Sequence, residues 1–375
     1  MKVLIHALGA NMGGAMRHLT NFLPELGRQD SEREYTVLVR ESFPTISVSK
    51  NISIERISNS FVSNWIKRLA VDLFEIPWKL SREKYDSIVS LTNFGPIFSP
   101  IPHIFFQRNP LYYCDYYLSQ ITGREKIETL LRRRLAIESM KRADLIVTPT
   151  NAMTEMIKGI CPEVKNRKFH TLYHGFSKNN YQKPLEERYA KLLEFDGLKL
   201  LYPTHLARHK GFDVLFNMLV CLKKRDINFK LFATIDYSDW PEGFDCYSNR
   251  ICELGIEKNV VFMGRIPQQQ MGSLYEKCDL MIYPSLCESF GFSMVEAMGH
   301  GLPIVAAGTD VNREMCEDAA LYYPAKDFEA GTEAIIRAFN IKDRLIENGQ
   351  ERLASFNWEW TRYAQEFIEM IRNIT

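Results

Sequence analysis

No run in the 375-residue sequence approaches the roughly 20 apolar residues that a membrane-spanning helix needs. The amino terminus, Met1-Lys-Val-Leu-Ile-His-Ala-Leu-Gly, is interrupted too early for a signal peptide and reads as a first strand. The eight cysteines, at 114, 161, 221, 246, 252, 278, 287 and 316, stand singly with no C-x-x-C pair. That argues against a zinc site and a disulfide framework, and for a reducing cytoplasm. There is no short internal repeat and no low-complexity tract, which excludes a solenoid. The glycines form neither G-x-G-x-x-G nor a Walker loop, which counts against a dinucleotide oxidoreductase and a nucleoside triphosphatase. No D-x-D carboxylate pair stands out as a metal-diphosphate bridge.

Short apolar runs alternating with helical stretches are what the chain does contain. In the first half they are Val3–Leu8, a helix from about Gly13, Tyr35–Val39, Ser87–Leu91, His103–Phe106, Leu145–Thr148 and Thr171–Tyr173. A polar stretch, 175–189, interrupts the pattern, which restarts with Leu198–Tyr202, Phe229–Thr234, Val260–Met263, Leu280–Tyr283 and Pro303–Ala306. Such alternation marks parallel sheets with helices on both faces. The expected fold class is therefore α/β, with two doubly wound, Rossmann-like domains, 1–178 and 190–355, facing across a cleft. Residues 356–375 end the chain in an amphipathic segment able to cover either domain.

Net charge is +1, but residues 1–180 hold 25 Lys+Arg against 17 Asp+Glu and the remainder 22 against 29. A basic half on a neutral protein suggests an anionic partner. Much of the charge lies in 124–142, where Ile127, Leu130, Leu131, Leu135 and Ile137 mark the expected apolar stripe and basic residues fill the other side. A solvated helix face is the plain reading, and contact with an anionic membrane surface the functional one. Nucleic acid is not expected, since no aromatic-basic interleaving accompanies the charge.

The stretch Glu288-Ser-Phe-Gly-Phe-Ser-Met-Val-Glu-Ala-Met-Gly-His-Gly-Leu-Pro-Ile-Val-Ala-Ala-Gly308 reads loop, short helix, strand, and follows the strand 280–283. Its loop opens at a strand's carboxyl end, where open α/β sheets bind ligands. The helix start around Gly291, Phe292 and Ser293 offers amides to a diphosphate, and Glu288 and Glu296 bracket it.

This segment closely resembles the glutamate-seven-residues-glutamate signature of the family 4 (group 1) retaining glycosyltransferases of the GT-B fold. The approach 260–285, the segments 201–219 and 143–157, and the Gly13-Gly14 turn are similar as well. The resemblance implies a metal-independent, retaining transfer of a hexose-type sugar from a nucleoside-diphosphate sugar to a glycan or lipid-linked acceptor hydroxyl. It implies no cofactor beyond that donor, and a cytoplasmic protein, peripheral at the inner face of the membrane where surface polysaccharide or glycolipid is built. Under it, Glu296 would bind the donor ribose, Glu288 would meet the transferred sugar and Lys210 the diphosphate. Gly13, Gly14 and Ile266 join the donor set.

Two positions depart from the family pattern. Where an arginine is usual, this chain has His205, with Arg208 or His209 as substitutes. Where many relatives place a sugar-contacting histidine, it has Gln107 and Asn109, while His103 reads as structural. The rival functions are a sugar-nucleotide epimerase of the same fold and a non-catalytic sugar-nucleotide-binding protein.

Overall fold

Seven short apolar runs form the first sheet: β1 (Lys2–His6), β2 (Glu34–Arg40), β3 (Ile52–Ile57), β4 (Ser87–Ser90), β5 (His103–Phe106), β6 (Leu145–Thr148) and β7 (Phe169–Thr171). Their order is β3-β2-β1-β4-β5-β6-β7, all parallel. Every residue of β4, β5 and β6 is buried, as befits parallel strands covered on both faces. The computed structural model describes residues 1–10, 13–62, 65–356 and 359–375. It divides into two units, Met1–Gly175 with Trp358–Thr375, and Phe176–Asn357.

On one face of the first sheet, Val3, Ile5, Val89, Ile104, Phe106 and Val147 pack against Leu19, Phe22 and Leu23 of the helix Gly13–Gln29. The helix Trp360–Arg372 completes that layer with Tyr363, Phe367 and Ile371. Thr361 of this last helix donates to the Glu25 carboxylate at 3.0 Å. On the other face, Leu4 and Ile88 meet Val71, Ile76 and Leu80, while Phe105 and Ile146 meet Ala136, Ile137, Met140 and Met153.

The second sheet holds β8 (Leu198–Tyr202), β9 (Phe229–Ala233), β10 (Val260–Phe262), β11 (Leu280–Tyr283), β12 (Ile304–Ala307) and β13 (Ala320–Tyr323) in the order β10-β9-β8-β11-β12-β13. The chain runs outward from β8 in one direction and from β11 in the other. The switch point of this sheet therefore lies between β8 and β11, which pair through Leu200 and Leu280.

Three sequence expectations need correction. Strand β7 is Phe169–Thr171 rather than 171–173, and two strands, β3 and β13, join the sheets beyond those expected. In β3 the central Glu55 and Arg56 break the apolar run, which an edge position tolerates. β13 is likewise an edge strand, and only four residues long. The third correction concerns the helix Gly123–Arg142. It buries Thr129, Ala136, Ile137, Ser139 and Met140, whereas Ile127, Leu130 and Leu131 are 61%, 42% and 46% exposed. Small residues allow close approach on the buried side, and their hydroxyls are satisfied locally: Thr129 donates to the Glu125 carbonyl and Ser139 to that of Gly95. Three of the expected stripe residues, Ile127, Leu130 and Leu131, are left outside, while Ile137 is buried.

Candidate active site

The loops after β8 and β11 are locked together by backbone. Leu286 N–H donates to the His209 carbonyl at 3.0 Å. Gly211 has φ of 69°, and a Cβ there would overlap the Pro284 carbonyl oxygen, so only glycine fits both the turn and the approach. The residue before it, Lys210, is thereby carried to the second loop, its backbone carbonyl held by the Tyr202 hydroxyl at 2.7 Å.

Lys210 Nζ donates to Glu288 Oε1 at 2.6 Å, and Ser285 Oγ donates to the same oxygen at 2.6 Å. The lysine and glutamate side chains are only 8% and 14% exposed. Burial alone would push the Glu288 carboxyl up, but the Lys210 ammonium, His209 and the two hydrogen bonds outweigh it and hold the carboxyl at about 2. Burial, reinforced by Lys210, lowers the neighbouring His209 to about 3. At neutral pH the Glu288 carboxylate is ionised beside a neutral imidazole.

Gly291, with φ of 83°, caps the helix Phe292–Gly299, and its carbonyl accepts from Met294 N–H at 3.0 Å. Ser293 Oγ donates to the Pro203 carbonyl at 3.2 Å, fastening the helix start to the loop after β8, and the Phe292 ring lies 5.0 Å from that of Phe290. Glu296, on this helix, is 3% exposed. Its Oε1 accepts from the Tyr181 hydroxyl at 3.0 Å and its Oε2 from that of Tyr275 at 2.7 Å. The His300 ring stacks on Tyr275 with centroids 5.7 Å apart.

The remaining residues expected at the site are distributed as follows. His205 is exposed, its ring 6.3 Å from that of His209, while the Arg208 guanidinium lies 4.5 Å over the Trp240 ring. Ile266 is half-buried in the loop beyond β10. Gly13, Gly14, Gln107 and Asn109 belong to the first unit. Gly13 and Gly14 open the helix that follows β1, and the preceding Asn11 and Met12 lie outside the described residues. Asn109 is used locally, its Oδ1 capping the turn Pro110–Tyr112 through Leu111 N–H at 3.0 Å. Gln107 is fully buried; its amide donates to the Asn109 carbonyl, and its Oε1 has no partner among the described residues. His103 is buried too, bonded to Ser90 Oγ at 2.9 Å and lowered to about 3 by burial.

Sequence reasoning missed Ser285, Tyr181 and Tyr275, the residues that hold the two glutamates. Ser285 stands in the segment that leads to the motif, and Tyr181 in the polar stretch read as a linker; nothing local in either marks a carboxylate partner.

Residues 186–352 match the family described as Glycosyl transferases group 1. The second unit carries the group 1 glycosyltransferase pattern. Among curated members, it is 24% identical over 225 residues to mannosylfructose-phosphate synthase of Agrobacterium fabrum, covering 56% of this chain and 49% of that one. It is 36% identical over 104 residues to D-inositol 3-phosphate glycosyltransferase of Corynebacterium aurimucosum, covering 27% and 25%. The matches thus span half or less of these two relatives. Among solved structures, Anabaena HepE in complex with UDP-glucose superposes with a TM-score of 0.74 at 18% identity over 100% of both chains. Sucrose-phosphate synthase from Thermosynechococcus elongatus gives 0.73 at 16% identity over 99% of this chain and 98% of that one. At such identities the likeness establishes the fold, which is that of the GT-B glycosyltransferases. The Lys210–Glu288 pair flanks the switch point of the second sheet, where open α/β folds place ligands.

Glu296→Gln tests the third member of the motif. The substitution keeps the side chain's shape and removes the charge that strengthens its accepted hydrogen bonds. The expected result is about tenfold weaker binding of donor and of free nucleoside diphosphate alike, read by calorimetry, with little change in turnover at saturation.

Proposed function

We propose that the protein transfers a sugar from a nucleoside-diphosphate sugar to an acceptor hydroxyl, with retention at the anomeric carbon and without a metal at the diphosphate. One observation carries this reading: a nearly buried lysine and glutamate, 2.6 Å apart, stand at the start of a helix on a sheet's switch point. Lys210 and the amides at Phe292 and Ser293 would take the charge of the leaving diphosphate. Glu288, held ionised and aimed by Ser285, would face the sugar and stabilise positive charge developing at its anomeric carbon. Glu296 would accept from ribose hydroxyls beside those of Tyr181 and Tyr275. The fold's likeness to HepE, solved with UDP-glucose, supports a nucleotide-sugar donor.

The acceptor we propose is a glycan or a lipid-linked glycan of surface polysaccharide or glycolipid synthesis. None of the helices among the described residues is long and apolar enough to cross a membrane, so such an acceptor would be met at a membrane's surface. The arginines of 124–142, through which an anionic surface would be reached, are partly engaged in local pairs, though seven Lys and Arg stand against three Glu there. Arg132 pairs with Glu128 at 3.1 Å, Arg134 with Glu138 at 2.8 Å, and Arg142 with Glu138 at 3.0 Å.

The test is a thermal-shift screen of UDP-, GDP- and ADP-sugars, followed by transfer assays in EDTA with the product's anomeric configuration read by NMR. Stabilisation by one donor class, transfer that survives chelation and a retained anomer are expected. Loss of transfer in EDTA with recovery on magnesium or manganese would overturn the metal-free diphosphate site. Donor conversion without any acceptor would mark an epimerase, and donor binding without turnover a binding protein.

A further inference from the structure

Beyond residue 180 acid outnumbers base, 29 Asp and Glu against 22 Lys and Arg, so a cation in the second unit has carboxylates to pair with. Most of its arginines do so. Arg188, Arg225, Arg250, Arg265 and Arg352 each hold a carboxylate at 2.5–3.0 Å. Arg313, Arg337 and Arg344 pair with no carboxylate among the described residues, and all three line one cavity of about 660 Å³.

The cavity lies beside the edge strand β13, and its three arginines come from three helices, Asp310–Cys316, Phe328–Asn340 and Lys342–Ser355. It reaches Ala320 at the start of β13, which pairs with Ile304 at the start of β12. Lys210 and Glu288 follow the far ends of β8 and β11, and neither lines the cavity.

Arg313 is held in place. Its guanidinium lies 4.6 Å over the Tyr322 ring, whose hydroxyl donates to the Glu317 carbonyl at 2.7 Å. Gly308 leaves it room, since a Cβ there would come within 2.7 Å of Arg313 Nη2. The two acids that line the cavity do not neutralise the arginines. The Glu317 carboxylate is taken by Arg352 at 3.0 Å, and that guanidinium is itself fixed by the Glu314 and Met315 carbonyls. Asp318 forms no ion pair among the described residues, while its carbonyl accepts from the Asn348 amide at 2.8 Å.

Three like charges around one concave surface repel one another, and an anion bound among them would relieve that repulsion. A guanidinium is a planar fork of donors that fits phosphate oxygens two at a time. The cavity falls within the roughly 300–1,000 Å³ of small-molecule sites, which is more than a bare phosphate ion fills. Leu321, Ile341 and Leu345 give it an apolar wall beside the arginines. We propose that this cavity binds a small phosphorylated molecule, with its phosphate on Arg313, Arg337 and Arg344 and its organic part against that wall. The site is separate from the proposed donor site, and its test does not depend on the transfer reaction.

The test is calorimetric titration of the full chain at low salt with glucose 6-phosphate, inorganic phosphate and glucose. Glucose 6-phosphate is expected to bind about tenfold or more tighter than inorganic phosphate, and glucose not at all. The double variant Arg337→Gln/Arg344→Gln should weaken the ester by about 30-fold or more, through lost charge-assisted hydrogen bonds. Arg337→Lys, which keeps the charge and loses the fork, should fall between. Lys258→Gln, just before β10 at the opposite edge of the sheet, should change nothing. Because both substituted arginines are exposed and unpaired, the double variant should melt no lower than the unmodified protein. Added ester should raise the melting temperature of the unmodified protein alone. Ester binding that is absent, or that the double variant leaves unchanged, would overturn the proposal, the latter by putting the ligand elsewhere, Lys210 included. Equal weakening by Lys258→Gln would reduce it to a general charge effect. Equal affinity for inorganic phosphate and the ester would overturn the organic ligand, since an ion alone would then occupy the arginines.

Discussion

Lys210→Ala is expected to lower turnover by roughly 10²–10³-fold, the loss typical when one preorganised group that stabilises developing charge is removed. A leaving nucleoside diphosphate needs cationic help, and under the proposed mechanism Lys210 is the side chain that supplies it. The structure adds a second consequence. Removing the ammonium leaves Glu288 ionised and nearly buried, and breaking a buried pair from one side costs on the order of 3–5 kcal/mol. Rates must therefore be compared on folded protein, and stability should follow a particular order. The double variant Lys210→Ala/Glu288→Gln, with no stranded charge, should melt above Lys210→Ala alone. Near-normal turnover in Lys210→Ala would place the diphosphate elsewhere; a double variant no more stable than the single one would mean that the pair is open to water.

Glu288→Gln is expected to cut turnover by about 10²-fold or more while nucleoside diphosphate still binds, because the carboxylate is assigned to charge that exists only in the transition state. Equal loss of nucleotide affinity in Glu288→Gln and Glu296→Gln would defeat that division of labour. The carboxyl also has a pH signature. Its folded value, about 2, lies below the ordinary 4.5, so its contribution to stability is present above about pH 4.5 and is lost as pH falls toward 2. The depression corresponds to roughly 3 kcal/mol. Acid unfolding of the unmodified protein should thus steepen in that window, and Glu288→Gln should flatten it. In Lys210→Ala the sign reverses: burial without the ammonium raises the Glu288 carboxyl, and lowering the pH should relieve part of the destabilisation. Unchanged acid-unfolding curves in both variants would show that the pair contributes no proton linkage.

Lys210, Glu288 and Glu296 are all legible as candidates in the sequence, since each sits in a short segment whose residue types repeat a family pattern. Their partners are not. Glu288 meets Lys210 across 78 residues of chain and Glu296 meets Tyr181 across 115. Those pairings exist because strand order sets β8 beside β11 and because the stretch after Gly175 returns to the helix Phe292–Gly299. Strand order is a property of the assembled sheet.

By itself the sequence determined that there are two parallel α/β units and where their central strands run, because fully buried strands are written as local apolar runs, as in β4, β5 and β11. It also determined the glycine turns at Gly211 and Gly291, whose left-handed backbone suits that residue best. It left the edge strand β3 unmarked, since half-exposed positions accept Glu55 and Arg56. The helix Gly123–Arg142 was decided by tertiary structure alone. Periodicity shows that an apolar stripe exists, but burial depends on what packs above it; here the sheet took the side bearing Thr129, Ala136 and Ser139, and Ile127, Leu130 and Leu131 were left to solvent.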